Sequence, residues 1–148
     1  MADDAIAPPY TEDDLADLYD FSGWPVVIAR LPGYAAFGSD GMRRWIAGFE
    51  LAIARDEPFV AILDLAAYLK DPREDPEQKK EGAKWMKRYR ERYNRVCRGN
   101  IYVVADAEAR KLVQREALTN STKFSFPFEA VATMDEAQAL AKKLLAGS

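Results

Sequence analysis

Apolar and polar positions along this chain switch between two spacings, and the switches mark out its elements. A β-rich run, Trp24–Leu31, comes first. Pro25 sits near its start, where no ladder donor is needed, and Pro32-Gly33 closes it. A helix from about Gly41 to Arg55 follows, with Ser39 or Asp40 as its N-cap. Its Met42, Trp45, Ile46, Phe49 and Ile53 share one face. Phe59–Leu65, introduced by Pro58, is a continuous apolar run, the pattern of a strand buried on both faces. Asn100–Ala105 reads as a third strand, and Asp106 caps a helix over Ala107–Leu118. Phe128–Thr133 reads as the last strand. Asp135 then caps a closing helix whose Ala137, Leu140, Ala141, Leu144 and Leu145 form an apolar face. Strands and helices therefore alternate with short links. This order predicts a single α/β domain, a mostly parallel sheet of four to five strands with helices on both faces.

Between the second and third strands lies the longest helical pattern, Glu77–Val96. At ~100° per residue, Gly82, Met86, Tyr89, Tyr93 and Val96 fall on one stripe with Trp85 at its edge. Lys80, Lys84, Lys87, Arg88 and Arg95 fall opposite. From Lys79 to Arg98 there are nine Lys or Arg against Glu81 and Glu91, a net +7 in a chain whose total is −3. Asp75 or Asp71 caps this helix, with Pro76 near its first position and Glu77 favouring its positive end. The plain reading is a core helix with a solvated outer side. The sharper reading is a binding face for an anionic partner.

Charge is also lopsided at the N-terminus. Residues 1–20 hold seven acids (Asp3, Asp4, Glu12, Asp13, Asp14, Asp17 and Asp20) and no base. We expect a partly disordered tip and then a turn of helix around Thr11–Leu18, capped by Thr11 and docked by Leu15, Leu18 and Tyr19. Residues 21–148 form the domain proper. Opposite charges would let the acidic segment lie over the basic helix as a flap, screened by salt. A merely solubilising tail is the alternative.

At 148 residues the chain can bury about two-thirds of its unfolded surface around one core. It contains no histidine, which removes histidine-based triads and dyads and histidine-containing zinc sites. Neither phosphate-cradling glycine loop occurs, and the acidic segment lacks the spacing of a calcium loop. We therefore expect no cofactor and no metal. A single cysteine, Cys97, agrees with a reducing cytoplasm, and the acidic N-terminus does not read as a signal peptide. No apolar run approaches the ~20 residues of a membrane span.

Asp64 interrupts the central strand at its carboxyl end, where open α/β sheets bind ligands. The alternative is that it satisfies backbone donors in the Ala66–Asp75 connection, which is long and so a candidate for function. Asp64 with Lys70 or Tyr68 would be the acid/base set of a histidine-free enzyme.

Three segments carry a family resemblance. FVAILDL, NRVCRGNIYVVADAEARKLVQ and FEAVATMDEAQALAKKLL resemble the central strand, the strand-into-helix segment and the closing strand and helix of STAS-like domains, particularly the SpoIIAA-like proteins. The likeness spans roughly Trp24 to Leu145. It implies protein regulation, or binding of an apolar or lipid-like ligand, rather than catalysis. Anti-sigma antagonists of that group carry Asp-Ser-Ser-Gly after the central strand. Here Leu69-Lys-Asp-Pro-Arg-Glu-Asp-Pro stands there, so no phosphosite carries over.

The reading is a non-enzymatic regulatory protein that binds a protein partner or an anionic amphiphile. Trp85, Tyr89 and Tyr93 would contact apolar parts, and Lys84, Lys87, Arg88 and Arg92 anionic parts, with Asp64, Tyr68 and Lys70 alongside. Contact with an anionic membrane surface fits the same helix. Nucleic acid fits less well, because the aromatics lie opposite most of the charges and the chain is acidic overall. The rival reading is a homo-oligomeric module, with Trp24, Phe124 and Phe126 as a dimer patch.

Overall fold

The computed structural model describes residues 9–72 and 75–147, Ser121 by its backbone alone. A five-stranded sheet carries the fold: β1 (Tyr19–Asp20), β2 (Val26–Arg30), β3 (Phe59–Asp64), β4 (Cys97–Val103) and β5 (Phe128–Val131). The strands lie side by side in chain order. β1 pairs antiparallel with β2, through Tyr19 opposite Ala29, and the other neighbours pair in parallel. β1 has no signature at two residues long. It forms because Leu15 and Leu18 before it and its own Tyr19 are buried and hold the chain against β2.

The helices are α1 (Tyr34–Phe37), α2 (Gly41–Ala54), α3 (Ala66–Lys70), α4 (Pro76–Val96), α5 (Ala107–Ser121) and α6 (Met134–Ala146). Each parallel step moves in the same direction across the sheet, so right-handed crossovers put α2, α4 and α5 on one face. α6 has no strand after it and folds back over the other face. The two cores differ accordingly. Aromatic residues from α2 and α4, with Phe59, Phe126 and Phe128, fill the first. Val60, Ile62, Ile101, Ala137 and Ala141 fill the second.

Several boundaries depart from expectation, and α5 runs on to Ser121 through residues expected as a loop. α6 is capped by Thr133 rather than Asp135: the Thr133 hydroxyl accepts the Glu136 amide, and the Glu136 carboxylate accepts the Thr133 amide. That reciprocal pair satisfies two terminal donors, which Asp135 inside the first turn does not. Asp40 precedes α2 but makes no side-chain cap. The Met42 amide is instead taken by Gln78 Oε1 at 2.7 Å. β4 begins at Cys97, directly after α4, because the buried Cys97 already pairs with Phe59.

Candidate functional site

Helix α4 starts where sequence places it. Asp75 Oδ1 accepts the amides of Glu77 at 2.9 Å and Gln78 at 3.4 Å, and Pro76 occupies the first turn, where no amide is missed. Its aromatic stripe faces α2 and the sheet. Tyr93 is 1% exposed, stacks on Phe126 with centroids 5.3 Å apart, and donates its hydroxyl to Asn100 Oδ1 at 2.9 Å. Trp85 is half-buried against Phe49 and donates Nε1–H to Glu50 at 3.2 Å. Tyr89 is half-buried against Trp85, at 5.3 Å. Gly82 lets α2 approach: a Cβ there would sit 3.1 Å from Met42 Sδ.

The opposite stripe points to solvent. Lys80, Lys84, Lys87 and Arg88 are exposed, and Arg92 is half-buried. Lys80 lies 3.9 Å from Glu77 and Arg95 lies 3.3 Å from Asp56. Among the described residues, no carboxylate comes within ion-pair distance of Lys84, Lys87 or Arg88. Arg88 stands over the Tyr89 ring at 5.3 Å.

The described part of the acidic segment does not cover this face. It docks on α2: Asp17 pairs with Arg44 at 2.6 Å, and Glu12 pairs with Arg55. The Arg44 guanidinium holds the Asp17 carboxyl below the usual range. Arg44 also donates to the Asp14 carbonyl, and Tyr19 donates to the Trp45 carbonyl, so this part of the segment is held on α2. Thr11 accepts the Asp14 amide at 3.2 Å, while Asp14 accepts the Thr11 amide at 2.8 Å. The expected disordered tip, residues 1–8, lies outside the described residues.

Asp64 meets a backbone donor of the connection that follows it. Its Oδ1 accepts the Ala66 amide at 3.0 Å and turns the chain into α3. Lys70 is exposed at the far end of α3, and Tyr68 is half-buried. Tyr68 borders a cavity of about 160 Å³ at the carboxyl end of β2, which Asp64 does not line. Leu31 and Pro32 close one side, Tyr34 and Phe37 of α1 another, and Met42 and Trp45 of α2 a third. Asp75, Gln78 and Lys79 of α4 complete it. Latches hold the walls. The Asp71 carbonyl accepts the Tyr34 amide at 2.8 Å, its Oδ2 accepts the Ala35 amide at 2.9 Å, and Gln78 Nε2 donates to the Gly38 carbonyl at 3.0 Å. Sequence reasoning passed over most of this site. Trp45 and Met42 read as core, and the Tyr34–Phe37 stretch between two glycines is too short to show a period.

Of the residues read as a dimer patch, Phe126 is 4% exposed, and Phe124 packs on it with centroids 5.3 Å apart. Trp24 is half-buried on Phe59 at 5.5 Å, with Nε1–H donated to Glu57 at 2.9 Å. Burial pushes the Cys97 thiol up to about 12, so it stays a thiol and no nucleophile at neutral pH. Burial likewise pushes Tyr102 up to about 12, and Tyr93 well above its ordinary value. Among the described residues, no helix is long and apolar enough to cross a membrane.

Comparison with known proteins adds no relative: no family model, no curated protein and no solved structure matches the chain.

Proposed function

We propose that this chain is a non-enzymatic regulatory module, STAS-like in its strand and cap pattern and cytoplasmic, that offers the cationic side of α4 to an acidic surface of a protein partner. One observation carries this reading: the aromatic side of α4 packs against the core, while Lys84, Lys87 and Arg88 stand exposed with no carboxylate of the described residues within ion-pair distance. Recognition of an amphiphile through Trp85, Tyr89 and Tyr93 would first have to draw Tyr93 out of an aromatic cluster. A protein surface asks for no such rearrangement. Like charges held on one rigid helix would steer an acidic partner and set its orientation more than they would raise its final affinity.

The test is a triple variant, Lys84→Glu, Lys87→Glu and Arg88→Glu. Partners that co-purify with the wild-type protein near physiological salt should be lost from the variant, and their wild-type capture should weaken as salt rises. Thermal melting should be unaltered. Capture that survives charge reversal overturns the proposal. Sedimentation with phosphatidylserine vesicles runs in parallel. Vesicle binding that the variant loses would make the acidic surface a membrane rather than a protein.

A further inference from the structure

The cavity at the carboxyl end of β2 is mostly apolar where the outer side of α4 is charged, and its reading stands independently of that one. We propose that it binds a small uncharged aromatic compound of a single ring. Its volume of about 160 Å³ sets the size. Apolar cavities of roughly 150 Å³ admit benzene. The walls set the shape, since Phe37, Trp45 and Tyr68 bring aromatic surface to the cavity and Leu31 and Met42 fill between them. A ring among rings gains offset or edge-on contacts beyond its buried area. Open parallel sheets take their ligands at this end of the strands.

The polar groups of the lining decide against a charged ligand. Asp75 and Lys79 both border the cavity, one carboxylate and one ammonium, so neither sign of charge is favoured there. Both are already engaged. Asp75 accepts the amides of Glu77 and Gln78, and Lys79 has an interaction within the protein, as has Tyr68. Gln78 is committed at both ends, to the Met42 amide and to the Gly38 carbonyl. An ion entering here would give up its water and find these partners taken, and burying an ion without a partner is costly. An uncharged ring gives up only apolar hydration, which favours its entry. The walls are also in place before any ligand arrives. Asp71 binds the first two amides of α1, and the Phe37 ring rests on the α2 backbone at Gly41, where any Cβ would collide with it. A site formed in advance loses little to ordering when it is filled.

The experiment uses the full chain with methyl-labelled methionine at neutral pH and three one-ring probes: toluene, benzoate and benzylammonium. Met42 borders the cavity, whereas Met134 packs against the opposite face of the sheet. Toluene should shift the Met42 methyl resonance saturably, show nuclear Overhauser contacts to it, and leave Met134 unmoved. It should bind at least about tenfold more tightly than either ion, because each ion must be desolvated without a partner. Lys79→Gln, at an exposed position that the fold tolerates, should leave the toluene affinity within about twofold of the wild type, since the ring needs no ammonium. An unmoved Met42, or equal shifts at Met134, would overturn the site. Benzoate or benzylammonium binding as tightly as toluene, or a toluene affinity that collapses in Lys79→Gln, would overturn the uncharged assignment.

Discussion

Helices α4 and α6 are both amphipathic and cover opposite faces of one sheet, yet they are built on different plans. α6 sets Ala137 and Ala141, both fully buried, against the sheet, and the short side chains let the backbones close up. Gly99 of β4 fits the same plan, since a Cβ there would come within 2.6 Å of Leu144 Cδ1. The outer side of α6 balances Asp135 and Glu136 against Lys142 and Lys143, for no net charge. α4 instead stands on rings, with Tyr93 as the anchor, and carries a net +5 over Pro76–Val96 even after Glu77, Glu81 and Glu91. Self-repulsion among like charges opposes folding rather than aiding it. α6 shows that a sheet face here is closed without such an excess. The surplus on α4 is therefore not needed to close a sheet face, and that difference is what the proposed binding of an acidic surface builds on.

Four changes break or sharpen this contrast. The largest effect is expected from Tyr93→Ala, which removes the ring that Phe49, Phe59, Phe124 and Phe126 surround. It should destabilise by about 3–5 kcal/mol in urea unfolding. A loss below about 1 kcal/mol would mean that α4 is not anchored there.

Alkaline pH should come next, because the buried titratable groups lie on the α4 side. Cys97 and Tyr93 are buried there and Tyr102 is half-buried, whereas the core under α6 is built from apolar residues. The folded state raises the Cys97 value from 9.0 to about 12, so its protonated form is favoured by folding. That stability is fully present below pH 9 and is lost as pH rises through 12. By about pH 11 the loss from Cys97 should reach ~3 kcal/mol. The urea midpoint should fall between pH 8 and 11, and less steeply in Cys97→Ala. A midpoint that does not move with pH refutes this account of the buried groups.

Ala141→Leu tests the α6 plan. Overfilling a fully buried alanine should destabilise by about 1–3 kcal/mol, with near-ultraviolet dichroism from the aromatic face kept. Coupled loss of that signal would show that the two faces are one cooperative core. The smallest effect is expected on the outer side of α4. Each of Lys84→Glu, Lys87→Glu and Arg88→Glu should move stability by no more than about 0.5 kcal/mol. A larger loss would mean that the cationic side supports the fold, and the functional reading of it would fail.

Much of the fold was legible because local rules carried it. The apolar run from Phe59 predicted a strand buried on both faces, and residues Phe59–Leu63 are buried. Asp75 and Asp106 cap where they were expected to, each accepting an amide within its own first turn. Thr133 was missed in favour of Asp135 because both are good cap residues, and the choice turns on Glu136 standing three residues on from Thr133. The cavity was less legible than the helix. Tyr68 was singled out, but Leu31, Phe37 and Trp45 come from three different elements, and no spacing along the chain links them. Asp64 drew attention by its position alone, and the adjacent Ala66 amide claimed it.

The sequence by itself determined the α/β alternation, the charged stripe and aromatic stripe of α4, and the absence of histidine chemistry. Each is a property of neighbours along the chain or of composition. The tertiary structure alone decided that the described part of the acidic segment lies on α2, because Arg44, Arg55 and the Trp45 carbonyl converge on it from residues distant in sequence. It also decided which stripe of α4 is closed. Periodicity shows that two sides differ, but burial depends on Phe49, Phe59 and Phe126 arriving from elsewhere, and that is a matter of packing rather than of pattern.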